Sequence, residues 1–202
     1  FYLMKVFYPG NSPYARRARL AARVSGLGVE EVDVAPLDAA DNPLRNKGPG
    51  VKVPGFETDT GAYFCETLLI TNYLNEKSGG KLFPSDPVAA DKAREVEGIG
   101  SLLLDSLFIR SQQLNRLSEN ERSPSLIARE AERAGRCYDA LNKALDGKEA
   151  SLDAGAIAVV CALGYADWRL PEDNWRAGRN GLAKWFDAMH QKKDVESTKP
   201  IF

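Results

Sequence analysis

The sequence predicts an α/β unit of order β-α-β then β-β-α, followed by an all-α unit. Three observations carry that class. Short runs rich in β-branched and aromatic residues occur only before residue 80, where they alternate with helical patterns. An Asp59-Thr60-Gly61 turn joins two of these runs. After the stretch Lys81-Leu-Phe-Pro-Ser-Asp-Pro87, with two prolines and no periodicity, everything reads helical. The expected organisation is a domain over 4–80, a linker at 81–87 and a helical domain over 88–202.

Met4 to Tyr8 reads as a strand closed by Pro9 and Gly10. Ser12 is a favoured N-cap and Pro13 suits the first helical position, where a missing N–H costs nothing; the helix ends at Gly26. Val29 to Val34 reads as a second strand, and the crossover makes the pair parallel. Residues 35–50, rich in Pro, Gly, Asp and Asn, read as loop with one weak helical turn. Gly55 to Thr58 and Ala62 to Cys65 form a hairpin, and Glu66 to Lys77 is a helix stopped by Gly79-Gly80. Further helices are expected from Val88 to about Ser118, after Ser123-Pro124 to about Leu145, from Asp153 to Trp168 and from Asn180 to about Lys192. The third of these is nearly uncharged all round, the mark of a buried central helix.

Of the 202 residues, 44% are hydrophobic and 27% charged, an ordinary globular composition that excludes disordered and fibrous classes. The longest uncharged stretch, Ala154 to Ala166, falls short of the ~18 to 20 apolar residues a bilayer span needs, so no membrane segment is expected. Basic and acidic residues balance in both halves, leaving no polybasic footprint for nucleic acid. Cys65, Cys137 and Cys161 are odd in number and far apart, which fits neither a disulfide framework nor a metal pair and points to a reducing cytoplasm. Phe1 to Leu3 precede Met4 and read as extraneous residues rather than a signal peptide. Arg16, Arg19 and Arg23 share one side of the first helix, with Arg17 a quarter turn away, and read as a solvated face. Cys65 reads as a buried packing residue and His190, the only histidine, as a surface one.

Three segments add a family to this architecture. Asn-Ser-Pro-Tyr-Ala-Arg-Arg-Ala-Arg over Asn11 to Arg19, Lys52-Val53-Pro54, and Cys65-Glu66-Thr67 resemble the glutathione transferases in type, order and spacing, and the likeness extends through Gly164-Tyr-Ala-Asp-Trp-Arg169. The chain is similar to bacterial serine-type members. The resemblance implies a thioredoxin-like N-terminal domain, a helical-bundle C-terminal domain, a cytoplasmic homodimer, and glutathione as co-substrate without a metal. It implies a detoxifying transferase that joins glutathione to an electrophilic, mostly apolar small molecule. Other glutathione-dependent chemistry (peroxide reduction, isomerisation, dehalogenation, ether cleavage) and a non-catalytic binding module are the alternatives.

The resemblance assigns roles that the residue chemistry can bear. Ser12 would be the catalytic residue, donating to the glutathione sulfur, with Asn11 and Tyr8 as fallback donors; its plain alternative is a helix cap. Arg16 or Arg17 could add positive field to a thiolate. Val53, ahead of a Pro54 that is cis in the family, would exchange main-chain bonds with the peptide, and Lys52 would pair with its glycyl carboxylate. Glu66 would hold the ammonium and Thr67, which stands where the family usually has Ser, the γ-glutamyl carboxylate. Tyr14, Leu104, Phe108 and Trp168 would line the second-substrate pocket, and Asp105 interrupts an apolar run there. The absence of Cys near the helix start argues against a redox member. The central helix departs from the family by carrying Asp153 at the cap and Ala156 where the capping box has Asp.

Overall fold

The computed structural model describes residues 3–201. Two compact units emerge, one holding the chain up to Pro87 together with the stretch from Lys193 onward, the other Val88–Lys192. The last residues, expected with the helical domain, therefore group with the first unit.

In the first unit the order is β1 (Met4–Tyr8), α1 (Pro13–Ser25), β2 (Val29–Asp33), β3 (Gly55–Glu57), β4 (Tyr63–Cys65) and α2 (Thr67–Lys77). The strands form one sheet in the order β2-β1-β3-β4, parallel across β2 and β1 and antiparallel elsewhere. Period-two alternation sorts the side chains between its faces. On one face Phe56 meets Phe64 and the Tyr73 ring of α2. On the other, Phe7 and Val34 are covered by Leu44, Leu37, Val51 and Val53 from the long loop. That loop contains a single 3-10 turn, Pro43–Asn46. Asn42 anchors it from a buried position, donating to the Val34 and Pro36 carbonyls and accepting from Leu44 N–H. A buried amide with its hydrogen bonds filled fixes a loop that lacks regular structure of its own.

The helix signals hold locally. Ser12, Ser123 and Asp153 each accept a backbone N–H at a helix start, and Gly26 ends α1 in the left-handed region at φ 68°. Gly61, at φ 85°, closes the hairpin turn by donating to the Thr58 carbonyl.

The arginine face of α1 is not solvated. Arg16, Arg17 and Arg19 are each less than a tenth exposed. The cause is a short helix the sequence pattern did not announce, Lys193–Ser197. Arg16 donates to the Val195 carbonyl (2.9 Å) and to Thr198 Oγ1 (3.2 Å). Arg23 reaches Ser197 and Asp194, and Ile201 N–H donates to the Gly10 carbonyl. On the sheet side, Glu31 of β2 takes Arg19 at 2.7 Å and Arg23 at 2.5 Å, while the Arg19 guanidinium lies 3.9 Å from the Tyr8 ring centroid. Guanidinium groups removed from water need such partners.

The second unit contains α3 (Pro87–Arg116), α4 (Pro124–Leu145), α5 (Ala154–Arg169) and α6 (Asn180–Met189), with short 3-10 helices at Glu119–Glu121 and Pro171–Asp173; Lys193–Ser197 is designated α7. Helix α5 is buried nearly all round, as its composition predicts. Its close approach to α3 is set by glycines: a Cβ on Gly100 would stand 2.9 Å from Ala158 Cβ, and one on Gly155 2.6 Å from the Ala93 carbonyl. Buried polar groups are held in networks, with Asp173 gripping Arg110 through both oxygens and accepting from Tyr138. No helix among the described residues is long and apolar enough to cross a membrane.

Burial would raise the Glu31 carboxyl, but the hydrogen bonds from Arg23 and Arg19 more than reverse this, so it titrates below its ordinary value of 4.5. A folded-state value below the unfolded one contributes stability that is present above pH 4.5 and lost as pH falls through the folded value. Glu31→Gln should cost about 1 to 3 kcal/mol at pH 7. Urea unfolding should show the gap to the wild type shrinking on acidification; a gap independent of pH would contradict the assignment.

Candidate functional site

The sheet register brings the three motif segments to one end. Phe7 stands opposite Gly55, and Gly55 opposite Cys65. The turn after β1 carries Ser12, the segment entering β3 carries Lys52, Val53 and Pro54, and the residues leaving β4 are Glu66 and Thr67. At about 4.8 Å between neighbouring strands, the row from β1 to β4 spans ~10 Å. That is the reach of about three extended residues.

Ser12 is half-buried with extended backbone, φ −78° and ψ 119°, and its Oγ accepts from Ala15 N–H at 3.1 Å. The cap occupies a lone pair and leaves the hydroxyl proton able to donate elsewhere. Cap and donor are therefore compatible roles for one residue. Tyr14 is half-buried, and its carbonyl accepts from Thr67 Oγ1 at 3.3 Å. This bond ties the first turn of α1 to the first turn of α2, so two helix N-termini, with their partial positive charge, share one end of the sheet. It also engages the Thr67 hydroxyl proton inward, and what Thr67 offers outward is its backbone N–H.

Glu66 is exposed and held at φ 76°, ψ 115°, a conformation that costs a non-glycine residue about 1 to 3 kcal/mol. Its side chain makes no cap bond to α2, so the carboxylate is not spent on the helix. Val51 adopts φ 45°, rare for a β-branched residue, just before Lys52-Val53-Pro54. The Val53-Pro54 peptide is cis. Val53 packs its side chain on the Phe7, Val34 and Leu44 cluster, Pro54 is buried and Lys52 is exposed.

Sequence reading missed Tyr63. Its hydroxyl occupies the space that a Cβ on Gly55 would need, and its ring crowds Gly48 in the same way. Tyr63 thus holds the β3 start against the loop, and burial together with the nearby Cys65 thiol raises its own titration above the normal phenol range. Only the absence of a side chain at Gly55 hints at it in the sequence. Cys65, read as buried, is partly exposed, with Sγ 3.7 Å from both the Lys52 carbonyl and the Tyr63 hydroxyl. Tyr8 is covered by Arg19, and Asn11 is exposed.

The other second-substrate residues lie in the second unit. Leu104 is fully buried, Phe108 is 36% exposed and Trp168 is half-buried. Phe108 neighbours Tyr165 at 6.4 Å between centroids, and Tyr165 meets Trp168 edge-on at 5.8 Å. Asp105 is exposed, and His190 packs edge-on against Phe186 at 4.3 Å. No group of three or more His, Cys, Asp or Glu among the described residues could hold a metal ion.

This geometry has counterparts. Residues 9–82 match the family model "Glutathione S-transferase, N-terminal domain". YibF of Escherichia coli strain K12, an uncharacterized GST-like protein, is 24% identical in an alignment of 201 positions that covers 98% of either chain. A glutathione S-transferase of Methylobacterium radiotolerans, solved with glutathione sulfonate, is 25% identical with a TM-score of 0.86 over 98% of this chain and 95% of that one. A glutathione S-transferase of Methylobacillus flagellatus, solved with glutathione bound, is 25% identical with a TM-score of 0.87 over 98% of this chain and all of that one. The first unit is thus a thioredoxin-like domain of the glutathione-transferase kind, followed by a mostly helical part. Residues 9–82 are matched to the glutathione S-transferase family, and over its whole length the chain is similar to glutathione S-transferases.

Proposed function

We propose that the protein is a serine-type glutathione transferase of the cytoplasm, acting in detoxification, that activates the glutathione thiol and joins it to an electrophilic small molecule. The observation that carries this reading is the meeting of Ser12, Val53-Pro54 and Glu66-Thr67 at one end of the sheet, within the length of an extended tripeptide. Glutathione has two carboxylates and an ammonium. The Val53 backbone would exchange hydrogen bonds with its central residue, Lys52 would meet the glycyl carboxylate, Glu66 the ammonium, and the Thr67 N–H the γ-glutamyl carboxylate.

The sulfur is left to Ser12. A thiol of pKa ~8.5 is only a few per cent ionised at pH 7. A hydroxyl donated to a charged acceptor contributes about 1.5 to 3 kcal/mol and a helix N-terminus about 0.3 to 1. At ~1.4 kcal/mol per unit, these lower the pKa by about 1.3 to 2.9 units, which raises the thiolate from a few per cent to between roughly two fifths and nearly all of the bound thiol at pH 7. The thiolate then attacks the electrophilic carbon; with an aryl halide a C–S bond forms, the carbon–halogen bond breaks and halide leaves with its electron pair. Tyr14, Leu104, Phe108 and Trp168 belong to the proposal as the apolar surroundings of that carbon. Free Cys65, Cys137 and Cys161 accord with a reducing compartment.

Binding and activation should separate. Ser12→Ala should raise the bound thiol pKa by about 1 to 2 units and cut turnover with an aromatic electrophile about tenfold at pH 6.5, with glutathione affinity nearly unchanged. Ser12→Thr, which keeps cap and hydroxyl, should retain most activity. Glu66→Ala should weaken glutathione binding by about 1 to 3 kcal/mol and leave the pKa of the bound thiol in place. The ultraviolet thiolate band of the binary complex against pH, with calorimetry, measures both; superimposable titrations for wild type and Ser12→Ala would leave Ser12 as a cap alone.

A homodimer is part of the same proposal. Leu68 and Leu69 of α2 are about half exposed, a patch that a second copy would cover. Sedimentation should give twice the chain mass at micromolar concentration; a single-chain species would remove this part.

A further inference from the structure

Resting on the transferase reading, we propose that residues 193–201 act as a positioning element, in which the Ile201 main-chain N–H locks the turn that presents Ser12 and Arg16 and Thr198 hold that N–H in place.

Between β1 and α1 the chain turns through Pro9-Gly10-Asn11-Ser12, closed by Ser12 N–H donating to the Pro9 carbonyl at 3.3 Å. The central peptide of such a turn, here Gly10 to Asn11, is what distinguishes one turn type from another: flipping that unit reverses its carbonyl while the two ends stay close. The flipped forms need positive φ at one or both central residues. Glycine takes positive φ freely and asparagine is one of the few other residues that enters it readily, so this turn sequence is open to both forms. In the structure neither Gly10 nor Asn11 has a positive φ. A contact from outside the turn selects that state. Ile201 N–H donates to the Gly10 carbonyl at 3.2 Å, on the peptide that would flip. Ser12 leaves this turn, so a flip re-aims its hydroxyl, whereas Val53, Glu66 and Thr67 lie on other segments.

Ile201 is itself held from α1. The Arg16 side chain, less than a tenth exposed, donates to the Val195 carbonyl at 2.9 Å and to Thr198 Oγ1 at 3.2 Å. Thr198, also buried, donates to the Asp194 carbonyl at 2.9 Å and so fastens the end of α7. The Arg16 main-chain N–H donates to the Ser12 carbonyl at 2.9 Å. Ser12, Arg16, Thr198, Ile201 and Gly10 thus form a closed ring of contacts around the turn.

Ile201→Pro tests the lock, because it deletes the N–H at a position that already follows Pro200 and whose side chain is 76% exposed. Losing one hydrogen bond shifts a turn equilibrium roughly two- to tenfold. The variant should raise the bound thiol pKa by about 0.3 to 1 unit and lower kcat with 1-chloro-2,4-dinitrobenzene roughly two- to tenfold at pH 6.5. Glutathione affinity at pH 5, where the thiol stays protonated, should change less than twofold. Thr198→Val should act in the same direction, while Thr198→Ser and Ile201→Ala, which keep the hydroxyl and the N–H, should restore the wild-type pH profile. Lower thermal stability with an unchanged pH profile would make the segment a strut alone and overturn the proposal, as would a loss of affinity equal to the loss of kcat. A readout without glutathione separates this from the transferase reading: the Asn11 and Ser12 amide signals of the free protein. Shifted or exchange-broadened signals in Ile201→Pro but not Ile201→Ala, in a protein that does not activate glutathione, would support the lock while removing the transferase. Signals superimposable on those of the wild type would overturn the lock and leave the transferase reading standing.

Discussion

The candidate site depends on one register, the row in which Phe7 of β1 faces Gly55 of β3 and Gly55 faces Cys65 of β4. Side chains in a sheet alternate, so a slip of one residue would turn Tyr63 and Phe64 to the wrong faces and separate the three motif segments. The register is held from both sides. Phe56, Phe64 and Tyr73 lock it under α2, and Phe7, Val53 and Tyr63 lock it under the loop. The Tyr63 hydroxyl occupies the space beside Gly55 that any other residue would fill, so that position admits no side chain without displacing a half-buried ring. Ser12, Val53 and Thr67 are then delivered to one end of the sheet by packing that none of them makes alone.

A second constraint comes from the other end of the chain. α7 is five residues long, too short to be stable by itself. It is kept by Arg16 and Arg23 of α1, and in return supplies the acceptors those arginines need away from water. With Ile201 bonded to the Gly10 carbonyl, the terminal segment braces the turn that carries Ser12. The same helix is thus fixed by Glu31 on one side and α7 on the other.

What the sequence disclosed follows from the range of the forces involved. Caps, turns and helix ends are local, and Ser12-Pro13, Asp59-Thr60-Gly61, Ser123-Pro124 and Asp153 all announce elements that form where expected. The fold and the proposed roles of the three motifs were legible through the family resemblance, because short segments matched in type, order and spacing carry topology with them, whereas the strand order comes from the structure. The arginine face reads as solvated because the Val195 and Thr198 partners of Arg16 lie about 180 residues away, and a charged stripe with distant partners looks the same as a solvated one. Tyr63 was missed for the same reason, as its importance lies in where its ring ends and not in its neighbours along the chain.

In the proposed reading one side chain, Ser12, would serve both fold and chemistry. Its oxygen lone pair completes the helix start, and its proton is left for an acceptor beyond the helix. Whether that acceptor is glutathione, held along the sheet end, is most directly tested by backbone amide NMR of the full chain titrated with glutathione. The account predicts that the amides of Ser12, Val53 and Thr67 shift together along one saturation curve, while those of Met4, Val29 and Gly61 at the opposite end of the sheet stay in place. Shifts confined to the opposite end, or saturation of Ser12 without Val53 and Thr67, would contradict it.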